Sequence, residues 1–118
     1  MARISPATYT LRIPQRATLE EPMTLKAGAP PVAMNLTGYT VLAQIWRDER
    51  RRVKLADLTV TYVNRSLGQI RLSLTRSQTR LLDRGGFWDL LVIEPSGAAD
   101  YWLEGPAVLD VGLTDDVA

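Results

Sequence analysis

The sequence predicts an all-β fold, a two-sheet antiparallel sandwich of about seven to nine short strands with one short helix near residues 76–82. Three observations carry that prediction. Apolar residues recur with a period of two along most of the chain, the repeat of a strand with one buried face. Turn signals rich in Gly, Pro, Asn and Ser interrupt the alternation at roughly eight- to twelve-residue spacing, as in sandwiches. One stretch alone, Arg76–Leu82, lacks both the alternation and, apart from Thr79, the β-branched residues that strands favour. A small barrel has similar strand spacing and is the competing architecture.

Taken in order, Tyr9, Leu11 and Ile13 alternate with Thr8, Thr10 and Arg12 until Pro14 stops the first strand. Thr18–Leu25 follows. Its Pro22 removes a ladder donor and places this strand on an edge or at a bulge. Ala27-Gly28-Ala29-Pro30-Pro31 is a turn, and Val32–Met34 adds a short strand. Leu36-Thr37-Gly38-Tyr39 forms a corner, with Gly38 supplying positive φ and Tyr39 locking the bend. In Thr40–Trp46, Val41, Ala43 and Ile45 face one way, while Leu42, Gln44 and Trp46 face the other.

Arg47–Arg52 makes a charged hairpin tip, from which Val53–Leu55 and then Leu58–Val63 return. Asn64–Gly68 turns the chain into Gln69–Leu74, where Ile70, Leu72 and Leu74 point inward. Thr75 caps the helix and Gly85-Gly86 ends it. Phe87–Ile93 is apolar on both faces, so it is central in its sheet or half of an interface. Tyr101–Glu104 is a strand, Gly105-Pro106 a break, and Ala107–Val111 the last strand. Residues 1–118 read as one domain, with residues 1–7 and 113–118 as tails.

The chain has neither cysteine nor histidine. Disulfides, thiolate chemistry, the usual zinc sites and the commonest general base are thereby excluded. No Gly-rich phosphate loop and no Asp-x-Asp-x-Asp-Gly calcium loop is present. The expectation is a non-enzyme with no catalytic residues, cofactor, metal or small-molecule substrate. No run is apolar enough for a membrane helix or a signal peptide.

Charge is divided unevenly. Residues 1–84 hold all 14 basic residues and 6 acids, a net +8, whereas residues 85–118 hold 7 acids and no base, a net −7. Late acidic strands pairing with early basic ones would account for this, as would head-to-tail contact between subunits. The basic tip (Arg47, Arg50, Arg51, Arg52) has no interleaved aromatics, which speaks against nucleic acid. With 12 Arg against 2 Lys, the bias is toward the planar cation enriched at protein interfaces. The protein-interface candidates are that tip, the large side chains Trp46, Phe87, Leu91 and Trp102, and the acids Asp115 and Asp116. Trp88 shares phase with Leu90 and Val92 and belongs to the core.

Several segments carry a resemblance. They are Leu36-Thr37-Gly38-Tyr39-Thr40, Gln44-Ile45-Trp46-Arg47, Leu67–Thr75, the short Thr-x-x-Leu-type helix of Thr79–Leu82, Gly86-Phe87-Trp88-Asp89-Leu90 and Trp102-Leu103-Glu104-Gly105. Together they resemble the small Ig-like β-sandwich proteins of tailed-bacteriophage tails and baseplates, and are similar to the N-terminal domain of baseplate upper proteins. The resemblance spans about residues 30–112 and is carried by turn chemistry and strand alternation. The N-terminal part departs from the pattern at Pro14-Gln15-Arg16-Ala17 and Pro22. It implies an Ig-like sandwich that acts in the virion as an adaptor or connector of tail, baseplate or neck. Its partners would be other phage structural proteins and its own copies in a ring. A carbohydrate- or receptor-binding sandwich acting through Trp46 or Trp102 is the alternative, and a capsid cement protein is the third.

Overall fold

The computed structural model describes residues 7–28, 30–48, 50 and 53–113. Alternation and turn chemistry produce strands β1 (Ala7–Thr8), β2 (Leu11–Pro14), β3 (Leu19–Thr24), β4 (Lys26–Ala27), β5 (Val32–Ala33), β6 (Thr40–Trp46) and β7 (Lys54–Asn64). After a 3-10 turn at Arg65–Leu67 come β8 (Gln69–Leu74), helix α1 (Arg76–Arg80), β9 (Gly86–Ile93) and β10 (Ala99–Asp110).

The strands form two facing sheets that share β7. One runs β1/β2–β10–β9–β6–β7 and the other β7–β8–β3, with β4–β5 a separate small hairpin. The first half of β7 pairs with β6 (Ala43↔Leu58, Ile45↔Ala56), and its second half pairs with β8 (Val60↔Leu72, Tyr62↔Ile70). Strands β6, β9 and β10 lie together as C, F and G do in immunoglobulin domains, and β3 lies opposite as B does. The fold is therefore an Ig-like sandwich. Among the described residues β3 pairs only with β8, so the structure is open on that side and is not a barrel. Pro22 sits in this edge strand, as its missing N–H requires.

Between the sheets lies one apolar core, built from Leu11, Ile13, Leu19, Val41, Ile45, Ile70, Leu72, Leu74, Trp88, Leu90 and Val92 among others. The inward set expected for β8 is buried, and of the two sets that alternation separates in β6 it is Val41, Ala43 and Ile45 that face the core. Thr75 opens α1 with a capping box: its hydroxyl accepts from Gln78 N–H while the Gln78 side chain accepts from Thr75 N–H.

Several expectations need correction. The strand pairs expected at 53–55 and 58–63, and again at 101–104 and 107–111, are each one continuous strand. Gly105-Pro106 does not break β10 because the neighbouring chain breaks instead. Tyr9 N–H donates to Glu104 O at 2.9 Å, and the next bond of a parallel ladder would run from residue 106 N–H to the Tyr9 carbonyl. Proline has no such N–H, so β1 ends and β2 resumes at Leu11, opposite Ala107. The Trp88 indole N–H takes the vacated Tyr9 carbonyl at 2.8 Å, with the two rings edge to face. β1 and β2 run parallel to β10, an exception to the expected antiparallel pattern.

Helix α1 stops at Arg80 with Leu81 as its C-cap, so Gly85-Gly86 does not terminate it. Those glycines allow close strand approach. A Cβ on Gly86 would meet Trp46 O at 2.2 Å, and one on Gly85 would meet Ala107 O at 2.3 Å. The bend at Gly38 (φ 80°) is closed by Tyr39 N–H donating to Leu36 O at 2.9 Å, with the Tyr39 side chain packed on the core, and Arg65 and Tyr62 hold it as well. Arg65 donates to Leu36 O and Tyr39 O, and its guanidinium stacks 3.5 Å over the Tyr62 ring. Tyr62 Oη accepts from Val41 N–H, beyond the last β6–β7 pair.

Candidate protein-binding face

The outer surface of β6, β9 and β10 is built by cross-strand register. Side chains paired across neighbouring strands stand on the same face, so each set of partners forms a row. One row is Leu42–Leu91–Tyr101. The next is Gln44–Asp89–Glu104, extended by Asp57 on β7 and Thr8 on β1. Beyond it lies Trp46–Phe87–Pro106. A carboxylate row is thus flanked by two apolar rows. Leu42 is 47% exposed and Phe87 41%, while Leu91, Tyr101 and Trp46 are half-buried.

The outer surface of the other sheet differs. Its rows Glu20–Ser73–Thr59 and Pro22–Arg71–Thr61 carry no large apolar side chain. A polar face of this kind is stable in water alone. Leu42 and Phe87, exposed on either side of the carboxylate row with half-buried Leu91, Tyr101 and Trp46 beside them, mark a surface that gains by being covered.

Two concavities flank Asp89. A cleft of about 510 Å³ is lined by Trp46, Asp48, Phe87, Trp88, Glu104 and Pro106, among others. A hollow of about 210 Å³ lies among Leu42, Gln44, Leu91 and Tyr101. Trp46 Nε1 donates to Gln44 Oε1 at 3.1 Å, which ties the indole to the neighbouring side chain on the same face of β6. Lys54 Nζ lies 3.0 Å from Asp57 Oδ2 and Arg47 lies 3.9 Å from Asp48, so cations border the acidic row at its β7 margin.

Of the residues singled out from sequence, Trp46, Phe87 and Leu91 come together on this face, with Arg47 at its margin. Arg50 is exposed, its N–H donating to Asp48 Oδ1 at 3.0 Å. Arg51, Arg52, Asp115 and Asp116 lie outside the described residues. Trp102 sits elsewhere. A β-bulge between Tyr101 and Leu103 sets both Trp102 and Leu103 against Leu90, and Trp102 packs half-buried on the core. It lines a separate apolar groove with Tyr9, Met23, Leu25, Pro31 and Leu103 at the open side of the sandwich.

Leu42, Tyr101, Asp89 and Glu104 are not among the interface candidates that the sequence marks. Alternation assigned Leu42 a side, but which strand would lie beside it is decided only by the sheet order. The charge split is partly internal, since Arg12 on β2 grips Asp110 on β10 with two hydrogen bonds of 3.1 and 2.8 Å.

No protein-family model matches the sequence, and no curated protein matches it. Among solved structures, a chain from the crystal structure of ICOS in complex with ICOS-L and an anti-ICOS-L VNAR domain is similar, at 13% identity and TM-score 0.49. That alignment covers 91% of this chain and 56% of the other. A chain of the ZIG-8–RIG-5 IG1–IG1 heterodimer is similar at 9% identity and TM-score 0.44, covering 96% of this chain and 90% of that one.

Proposed function

We propose that this chain is a non-catalytic adaptor that joins other protein subunits through the outer face of β6, β9 and β10. The observation that carries the reading is the contrast between the two outer faces: the paired rows of one hold Pro22 as their only apolar side chain, with Val63 exposed beyond them on β7, while the other bears exposed Leu42 and Phe87 with half-buried Leu91, Tyr101 and Trp46 beside them. The sequence resemblance to tail and baseplate sandwiches extends the proposal to a virion component of a tailed bacteriophage, placed in the tail, baseplate or neck. Native mass spectrometry of the purified chain, alone and with phage tail extracts, tests it. Wild type is expected to enter complexes with tail components, and the Phe87→Ser/Leu91→Ser double variant to stay out. A chain that remains solitary, or a double variant that binds equally, rejects the proposal.

A second reading has one observation in its favour. Trp46 and Phe87 stand beside Asp48, Asp89 and Glu104 in one cleft, a combination of aromatic rings and hydrogen-bond acceptors that suits a sugar. Glycan-array binding lost in Trp46→Ala would favour this reading.

A further inference from the structure

The tertiary structure gathers charge in a way the linear order conceals. Arg76 of α1 donates to Arg16 O at 2.9 Å, and Arg16 donates to Gly112 O. Gly86, two residues after Arg84, seats against the Trp46 carbonyl and the Arg47 Cα. The helix arginines Arg76 and Arg80, together with Arg16, Arg84, Arg47 and Arg50, therefore share one end of the sandwich, where they outnumber the acids Asp48 and Asp83. Arg76, Arg80 and Arg84 are exposed there. Their chemical opposite is the row containing Asp89 and Glu104, set between two apolar rows on the sheet face.

We propose that the face of β6, β9 and β10 receives the basic end of a second copy of this chain, head to tail. This inference rests on the reading of that face as a protein-binding surface. Two arguments select the occupant. First, the complementary charges belong to one molecule: its cations lie in residues 1–84 and its base-free acidic stretch begins at residue 85. Second, a two-fold dimer of this face would bring one acidic row against its own copy, and like charges in contact oppose association. A contact between unlike surfaces avoids that repulsion, and repetition closes into a ring or runs on as a filament. Guanidinium groups suit the receiving row, because they bond carboxylates in a planar fork and stack on Trp46 and Phe87.

The test uses full-length chain, sedimentation analysis and two charge-reversed proteins. Wild type is expected to self-associate at low salt and to dissociate as salt rises. Asp89→Lys/Glu104→Lys, which alters the face, and Arg80→Glu/Arg84→Glu, which alters the end, should each weaken self-association about tenfold or more. Mixed together, the two proteins should associate again, since the intact face of one meets the intact end of the other and the two reversed surfaces are themselves opposite in charge. Circular dichroism confirms that both variants are folded. Wild type that stays monomeric to roughly 500 μM at low salt overturns the inference. So does a dimer that survives the end variant, or a mixture that forms no complex. If wild type is monomeric while Phe87→Ser/Leu91→Ser still loses its tail partner, the adaptor reading survives and self-docking alone fails. If that double variant keeps its partner, the face itself is refuted.

Discussion

Trp88→Phe probes the place where the first segment of the chain crosses between β1 and β2. The substitution keeps an aromatic ring in the core but removes the indole N–H that donates to the Tyr9 carbonyl at 2.8 Å. Pro106 cannot replace that donor. Leaving a partly buried carbonyl without it costs about 1–2 kcal/mol, and the space left by the smaller ring adds about 1 kcal/mol. The sum, about 2–3 kcal/mol, corresponds to a fall in Tm of roughly 10 °C for a chain of this size. Pro106→Ala restores a backbone N–H beside the same carbonyl. Alone it should change stability by less than about 1 kcal/mol, mostly through the unfolded state. Combined with Trp88→Phe it should recover about 1 kcal/mol. Urea denaturation followed by far-UV circular dichroism gives all four corners of the double-mutant cycle. Additivity within about 0.3 kcal/mol would refute the idea that proline and tryptophan share one carbonyl.

Further outcomes follow from other close contacts. Gly86→Ala places a methyl group against the Trp46 backbone, and should cost about 2–3 kcal/mol in a thermal melt because neither strand can yield without moving the sheet. Arg65→Lys keeps the charge but loses the flat stack on Tyr62 and the paired carbonyl bonds, and should lower stability by about 1–2 kcal/mol. The Tyr9 hydroxyl donates to the Glu21 carboxylate across the open side of the sandwich. That hydrogen bond, then burial, then repulsion by the Glu21 charge raise its pKa above the ordinary tyrosine value. The neutral phenol therefore stabilises the fold at pH below about 10, and this contribution disappears as pH rises through the raised value. Chemical denaturation across that range should show a decline in wild type that is absent from Tyr9→Phe.

Much of the fold was legible because alternation is a local signal. Ile70, Leu72 and Leu74 declare their side from the sequence, and Thr75 with Gln78 declares a helix start. The face reading was legible only in part. Trp46, Phe87 and Leu91 could be marked as large interface candidates, yet their meeting depends on β6 lying beside β9 with Trp46 opposite Phe87. Trp102 shows the limit from the other direction. Strict alternation separates it from Leu103, but a single bulge, set by how β10 fits β9, puts both beside Leu90.

Local chemistry by itself determined the all-β class, an edge or bulge for the strand containing Pro22, the inward set of β8, the two opposed sets of β6, and the absence of cysteine and histidine chemistry. Those properties depend on residues within a few positions of one another. The tertiary structure alone decided that β7 serves two sheets, that Gly105-Pro106 lies within a strand, and that Tyr62 and Arg65 hold the corner. It also decided that arginines from β2's exit, α1 and the β6–β7 tip share an end opposite in charge to the Asp89–Glu104 row. Each of these rests on pairing between segments far apart in the chain, where register and close approach, not local preference, set which groups meet.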